Sequence, residues 1–308
     1  MSLAWLDGEL VPEESVSLHV NSVTSALGTG FFEALRCYPT PGGGSAAFRL
    51  RDHHRRLTRS LAVVGAAPPV SERDLVSALA ALIDAEGMTG APVYVKVMVY
   101  WDVVLQGTSL VALQEYQPRT AIFVRSTAAD MFSTCPVVRC RISSWRRADA
   151  GVMPPHAKAT ANYYSARLGL TEALSTGFDN AIFLNGKGTV AEAAESNIFL
   201  VDRRARTVTT PTLACGALPG ITRDTVLERL RAGTDFEVVE APVQHTDLYA
   251  ADEVFLTNTA QIIRGVARID GRSLGDGAGE VTQAVRADLL DMLFQRTSAP
   301  AGWLTSLV

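Results

Sequence analysis

Cysteine and histidine are scarce in this 308-residue chain, and their placement excludes more than their number does. The four cysteines, Cys37, Cys135, Cys140 and Cys215, form no CxxC pair and stand near no ladder of histidines. That spacing argues against a zinc site and against the disulfide framework of a secreted domain, so reduced thiols and no metal are expected. Among the five histidines, His53 and His54 are adjacent, but they lie in an Arg-rich helical stretch and read as a solvated face rather than a ligand pair. Long apolar runs are also missing. No segment sustains the roughly 18 apolar residues of a membrane helix, and "MSLAWLDGELVPEESVSL" has no basic region followed by an apolar run. A soluble, cytoplasmic protein without a membrane partner is the expectation. Charged residues make up only 19%, with a formal net charge of −4, which gives no electrostatic reason to expect nucleic acid. What the chain does have is 47% hydrophobic content, enough at this length for a substantial core in two domains or one large one.

Strand and helix signals alternate in the first part. "AWLDGELV" carries the Asp-Gly turn of a hairpin, and "RDHHRRLTRSLAVVG" places Leu57, Leu61 and Val64 at helical spacing. "SERDLVSALAALIDAEG" is a helix that Ser71 caps and Gly87 ends, and "PVYVKVMVYW" and "TAIFVRS" read as strands. The period is lost in "STAADMFSTCP", which places an interdomain connection at 125–136, after a small α+β domain at 1–124 and before a larger domain at 137–308. In that second part, "VVRCRISSW" is a strand. "NAIFLNGKGTVAEAAESNIFLVD" reads as two apolar strands about an Asn185-Gly186 turn, and "GITRDTVLERLRAG" and "VTQAVRADLLDMLFQRT" as helices.

Four stretches carry chemistry. In "PPHAKATANYYSARL", a helix start with an apolar rhythm through Tyr164, Leu168 and Leu170 leaves Lys158 as a solvated cation; the other reading is a buried, desolvated amine able to condense with an aldehyde. In "ALPGITRDTV" a Pro-Gly turn feeds a helix whose first amides, on Ile221 and Thr222, have no partner within the helix, an arrangement suited to phosphate, although most such turns bind nothing. In "TVAEAAESNIFLV", Glu192 and Glu195 precede a buried strand, where a carboxylate is costly unless paired. Either a cation faces one of them or both flank a solvated hairpin. "FLTNTAQI" offers hydroxyls and amides to an anion, or is a surface turn. An imine-forming lysine, a carboxylate for a ring nitrogen and a phosphate-binding helix terminus are together what a pyridoxal phosphate enzyme requires. A protein that merely binds a phosphorylated ligand leaves Lys158 and Glu192 unexplained.

The order and wording of these motifs resemble the class IV aminotransferases, the fold-type IV pyridoxal phosphate family of branched-chain aminotransferases, D-amino acid aminotransferases and aminodeoxychorismate lyases. "AKATANYY", "EAAESNIF" and "LPGITRD" occur in the family's order and spacing, and the likeness runs from "LDGELV" to "ADEVFLTNTAQI". "GTGFFEALRCY" and "ALPGITRD" make the branched-chain enzymes the nearest likeness. The resemblance implies an α+β, two-domain fold of the D-amino acid aminotransferase-like kind, pyridoxal 5'-phosphate as cofactor, a homodimer, and ping-pong transfer of an amino group between an apolar L-amino acid and a 2-oxo acid. The lyase and the D-amino acid transferase share Lys158 and Glu192, so those residues do not separate the three activities.

By resemblance, Lys158 is the Schiff-base lysine, Tyr163 bonds the cofactor's ring oxygen and Glu192 faces its pyridine nitrogen. Arg56, the Ile221 and Thr222 amides and Thr259 hold the phosphate. Phe32, Arg36, Tyr94 and Ala260 line or support the substrate pocket. Two positions depart from the branched-chain pattern. Leu27 stands where a tyrosine is usual, and Lys96 where an arginine commonly receives the side-chain carboxylate of glutamate.

Overall fold

A computed structural model of the chain describes residues 2–106 and 112–307. It divides into two compact units, one made of Met1–Ala129, Ala157–Ala161 and Met292–Val308, the other of Asp130–His156 and Asn162–Asp291.

In the first unit, strands β1 (Leu3–Leu6) and β2 (Glu9–Pro12) form the expected hairpin, with Asp7 and Gly8 both at positive φ in the turn. Helix α1 (Val23–Leu27) follows, capped by Ser22, whose Oγ accepts from Ser25 N. Then come β3 (Phe31–Pro39), β4 (Ser45–Phe48), α2 (Leu50–Ala62), α3 (Glu72–Ala85), β5 (Val93–Tyr100) and β6 (Arg119–Ser126). Ser71 caps α3 as its sequence suggests, accepting from Asp74 N at 3.2 Å. Among the described residues the sheet has seven antiparallel strands, ordered C-terminal strand (Leu304–Ser306), β4, β3, β5, β6, β1, β2.

Strand alternation sorts this sheet into two faces. Phe31, Leu35, Cys37, Val93, Val95, Val97 and Val99 enter a core shared with Leu57 and Leu61 of α2 and Leu79 and Leu82 of α3. The register sets Phe32 opposite Met98, Ala34 opposite Lys96 and Arg36 opposite Tyr94, all on the other face. The C-terminal strand pairs with β4 and Ala159 bridges to Phe31. These pairings place 157–161 and 292–308 with the first unit, whereas a division read along the chain assigns everything from 137 onward to one domain.

The second unit contains β7 (Val137–Arg146), α4 (Asn162–Ser175), β8 (Asn180–Leu184), β9 (Val190–Ala193), β10 (Asn197–Asp202), β11 (Thr207–Thr210) and α5 (Ile221–Gly233). After these come β12 (Glu237–Glu240), α6 (His245–Ala250), β13 (Glu253–Asn258), β14 (Ile262–Ile269), β15 (Arg272–Ser273) and α7 (Glu280–Leu293), whose last two residues count with the first unit. Its sheet runs β12, β11, β10, β13, β14, β7, β8, β9, with β15 on β14; β7 pairs parallel to both β8 and β14. Two details differ from the sequence pattern. The apolar run after the Asn185-Gly186 turn breaks into β9 and β10, which puts Glu192 within a strand. Helix α4 buries a stripe of small residues, Ala166, Gly169 and Ala173, and leaves Tyr164 exposed. A Cβ on Gly169 would stand 2.3 Å from the Phe183 ring, so close packing of small residues seats the helix, with Leu170 the one member of the expected apolar rhythm that packs beside them.

Candidate active site

Lys158 does not begin a helix. It lies on extended chain beside the start of β3, with Phe32 N donating to Lys158 O at 3.1 Å and Thr160 N to Gly30 O at 2.8 Å. Lys158 N donates to Ser60 Oγ at 2.9 Å, and Ser60 Oγ in turn donates to Arg56 O on α2 at 2.9 Å. The residue is only 9% exposed, which answers the solvated-cation reading. Its Nζ stands 4.7 Å from the centre of the Phe32 ring, and Lys96 Nζ stands 5.6 Å from the same ring, both within cation–π range.

Arg36, on the same sheet face as Phe32, donates from Nη1 to Thr127 Oγ1 at 2.8 Å and lies 5.5 Å from the Tyr94 ring centre. Burial lowers the Arg36 pKa, against the opposing pull of Tyr38 and Tyr94. Phe32, Arg36, Tyr94 and Lys96 therefore share one sheet face of the first unit, and Lys158 stands over its Phe32 ring. Leu27 ends α1 with 62% of its surface exposed.

Arg56 is held from the core side. Its Nε donates to Glu33 Oε1 at 2.7 Å and its Nη2 to Glu33 Oε2 at 2.8 Å, while His53 Nδ1 lies 2.7 Å from the same Oε2. Burial alone would raise the Glu33 pKa, but the Arg56 charge and the bonds from Arg56 and His53 outweigh it and hold the carboxyl far below the usual carboxylate range. Burial lowers the His53 pKa despite Glu33, and the Arg56 and Lys158 charges push the same way. The neutral ring then donates its Nδ1–H to Glu33. The solvated face expected at His53 is thus overturned: Leu50, His53, Arg56, Leu57, Ser60 and Leu61 form the buried stripe of α2. A carboxylate from β3, distant in sequence, makes burial of those polar side chains tolerable. His54 bonds through Nε2 to Val70 O at 2.8 Å.

In the second unit, Glu192 is buried and ringed by donors. Arg147 Nη2 lies 2.9 Å from Oε1, while Asn197 Nδ2 and the Leu218 amide donate to Oε2 at 3.2 and 3.1 Å. Three N–H donors converging on one carboxyl favour its ionised form. The cation that the sequence requires opposite a buried glutamate is Arg147. Glu195, the other candidate, is half-exposed and meets Arg167 at 3.5 Å.

Asn197 also donates to Leu218 O at 2.9 Å, tying Glu192 to the turn that enters α5. Gly220 ends that turn, and a Cβ there would stand 2.0 Å from Asn197 Oδ1. No side chain caps α5, so its first turn, with the Ile221 and Thr222 amides, keeps the anion-binding character of a helix start. Thr259 and Ala260 lie in the turn between β13 and β14, which Asn258 braces by accepting from Gln261 N at 2.8 Å and donating to Ser196 Oγ at 3.0 Å. Thr257, opposite Asn197 in the strand register, is 1% exposed and its Oγ1 has no partner among the described residues. Tyr163 is the second residue of α4 and half-buried.

Sequence reasoning missed Glu33, His53, Arg147 and Asn197. Only Arg147 left a trace, as the cation demanded by a buried carboxylate; the others required knowing which strands and helices meet.

The family model for class IV aminotransferases matches residues 30–269. A branched-chain-amino-acid aminotransferase of Pseudomonas aeruginosa is 33% identical over 305 residues, covering 98% of this chain and 96% of its own. The crystal structure of a branched-chain aminotransferase from Thermoproteus uzoniensis, with norvaline, superposes with a TM-score of 0.90 at 33% identity, covering 100% of this chain and 99% of that one. The branched-chain amino acid aminotransferase from Thermobaculum terrenum, in its PLP-bound holo-form, gives 0.88 at 29% identity, covering 100% of this chain and 98% of that one. With motifs, fold and matched length in agreement, the chain belongs to the class IV aminotransferases.

Proposed function

We propose that the protein is a pyridoxal phosphate-dependent aminotransferase that moves an amino group between a branched-chain-like, apolar L-amino acid and a 2-oxo acid. The observation that carries this reading is Lys158, a buried amine whose backbone is fixed on both sides, by Ser60 and by Phe32. The donor set fits the cofactor. Each unit by itself offers donors that suit a phosphate, the Arg56 guanidinium in the first and the uncapped start of α5 in the second, and the buried Thr257 hydroxyl has no hydrogen-bond partner among the described residues.

When bound through its aldehyde carbon, pyridoxal phosphate supplies an electron sink for the charge left on the substrate's α-carbon. Lys158 takes the α-proton and returns it, as a general base and then acid at Nζ. Glu192, with donors on both oxygens, would keep the ring nitrogen protonated. Tyr163 would orient the ring oxygen, while Arg56, the Ile221 and Thr222 amides and Thr259 would hold the phosphate. Phe32, Tyr94, Arg36, Lys96 and Ala260 receive the substrate. Neither half-reaction requires a metal. No described helix is long and apolar enough to cross a membrane, and the reading extends to a cytoplasmic homodimer whose partners are small amino acids and 2-oxo acids.

Borohydride treatment of the purified protein followed by peptide mapping tests the assignment. The cofactor is expected on the peptide containing Lys158, and labelling of another lysine refutes it. Amination of 2-oxoisocaproate, assayed beside pyruvate release from aminodeoxychorismate, separates the transferase from the lyase on this scaffold.

A further inference from the structure

The Glu33–Arg56–His53 cluster is buried and carries ionised side chains. A guanidinium offers five N–H donors on two usable edges. Glu33 engages the Nε–Nη2 edge in a two-point fork at 2.7 and 2.8 Å, which fixes the guanidinium plane. His53 fixes Glu33 in turn, through the 2.7 Å bond to Oε2. The helix that carries Arg56 also carries Ser60, whose hydroxyl receives the Lys158 amide, so Arg56 and the lysine backbone are tied to one turn of α2.

We propose that Glu33 is a positioning residue for cofactor binding: by forking Arg56, with His53 as its brace, it sets the plane in which the guanidinium meets the cofactor's phosphate. This rests on the aminotransferase reading of Arg56. The alternative is that the cluster only stabilises the unit, and that the phosphate is held without it. Free rotation of an arginine side chain spreads its donors over many directions, whereas a pre-set plane loses less conformational freedom when an anion binds. The benefit therefore falls on the phosphate alone and not on the rest of the cofactor.

That distinction makes a test. The dissociation constants of pyridoxal phosphate and of pyridoxal, which lacks the phosphate, are measured by absorbance titration for the parent protein after cofactor removal and for Glu33→Gln, Arg56→Ala and the double variant. The ratio of the two constants reports phosphate recognition and is insensitive to a general loosening of the fold. Glu33→Gln is expected to reduce the preference for the phosphorylated form about tenfold, the size that outer partners of a bound group typically carry. Arg56→Ala should reduce it further, and the double variant should be no worse than Arg56→Ala, because Glu33 acts through Arg56. An unchanged ratio in Glu33→Gln, or losses that simply add in the double variant, overturns the positioning role while leaving Arg56 as a phosphate ligand. An unchanged ratio in Arg56→Ala overturns the assignment of Arg56 itself. Should Glu33→Gln fail to fold, Glu33→Asp keeps the charge but withdraws the fork by one methylene; a reduced ratio supports the role and a parental ratio overturns it.

Discussion

Arg147 and Glu192 form a buried ion pair, Nη2 to Oε1 at 2.9 Å, with the Arg147 guanidinium stacked 4.9 Å from the Phe183 ring centre. The same Nη2 also donates to the carbonyls of Ala193 and Ala194, at 3.2 Å each. The pair holds Glu192 charged and in place, which is what a ring-nitrogen partner needs. Glu192→Gln keeps the side-chain shape but removes the charge. Turnover should fall by about 100-fold or more, the scale of losing one preorganised electrostatic partner, while cofactor affinity changes much less. Half-reaction spectra and cofactor titration check this. Full activity would move the role to Glu195, which its half-exposed pairing with Arg167 argues against.

Lys158→Ala should abolish turnover, by at least about 1,000-fold, since a general acid–base group is lost together with the covalent anchor. The variant should still fold. The hydrogen bonds that fix position 158 run through its backbone, to Ser60 and Phe32, and survive the substitution. Thermal unfolding of the cofactor-free proteins should differ by only a few degrees or about 1 kcal/mol. A collapse of the fold would show that the buried side chain itself supports the core.

The His53 pKa lies below its ordinary value of 6.5 in the folded protein, mainly through burial. The unfolded chain therefore binds a proton at this site below about pH 6.5, where the folded chain resists it, and stability should fall as pH drops from there. Glu33, with its lowered pKa, adds a second loss only once the pH falls below the ordinary carboxylate value of 4.5. Melting temperatures of the cofactor-free protein, taken from about pH 7.5 to about pH 5, should decline, and His53→Gln should flatten the slope. Parallel slopes for the two proteins would contradict the buried, neutral imidazole.

Lys96 stands opposite Ala34 on the face that carries Phe32, Arg36 and Tyr94. A lysine offers a point charge where an arginine offers a fork, and Leu27 offers neither the hydroxyl nor the aromatic wall of a tyrosine. Glutamate should be a poorer donor here than in enzymes with both residues, and larger or aromatic side chains should be accepted. Lys96→Ala should reduce kcat/KM for glutamate several-fold more than for leucine, about 1 kcal/mol of differential binding. Equal losses for both donors, or a parent enzyme confined to valine, leucine and isoleucine, would remove the specificity argument and leave the aminotransferase assignment standing.

The sequence by itself determined the elements whose cause is local. The Asp7-Gly8 hairpin, the Ser71 cap of α3, the Gly220 entry into α5 and the alternation of β5 follow from turn chemistry, capping and side-chain period, which act over a few residues. It also determined, through motif order, the family and the residues to which roles are assigned. Tertiary structure decided what long-range pairing controls. Lys158 is extended rather than helical because it is bonded to the start of β3, and Glu192 sits inside a strand because β9 pairs with β8. His53 looked solvated because an Arg-rich helix gives no sign that Glu33 waits on a neighbouring strand. Arg147 could be required by charge but not named. Burying a polar group is costly until its partner is in place, and that partner is supplied by the fold, not by the neighbouring sequence.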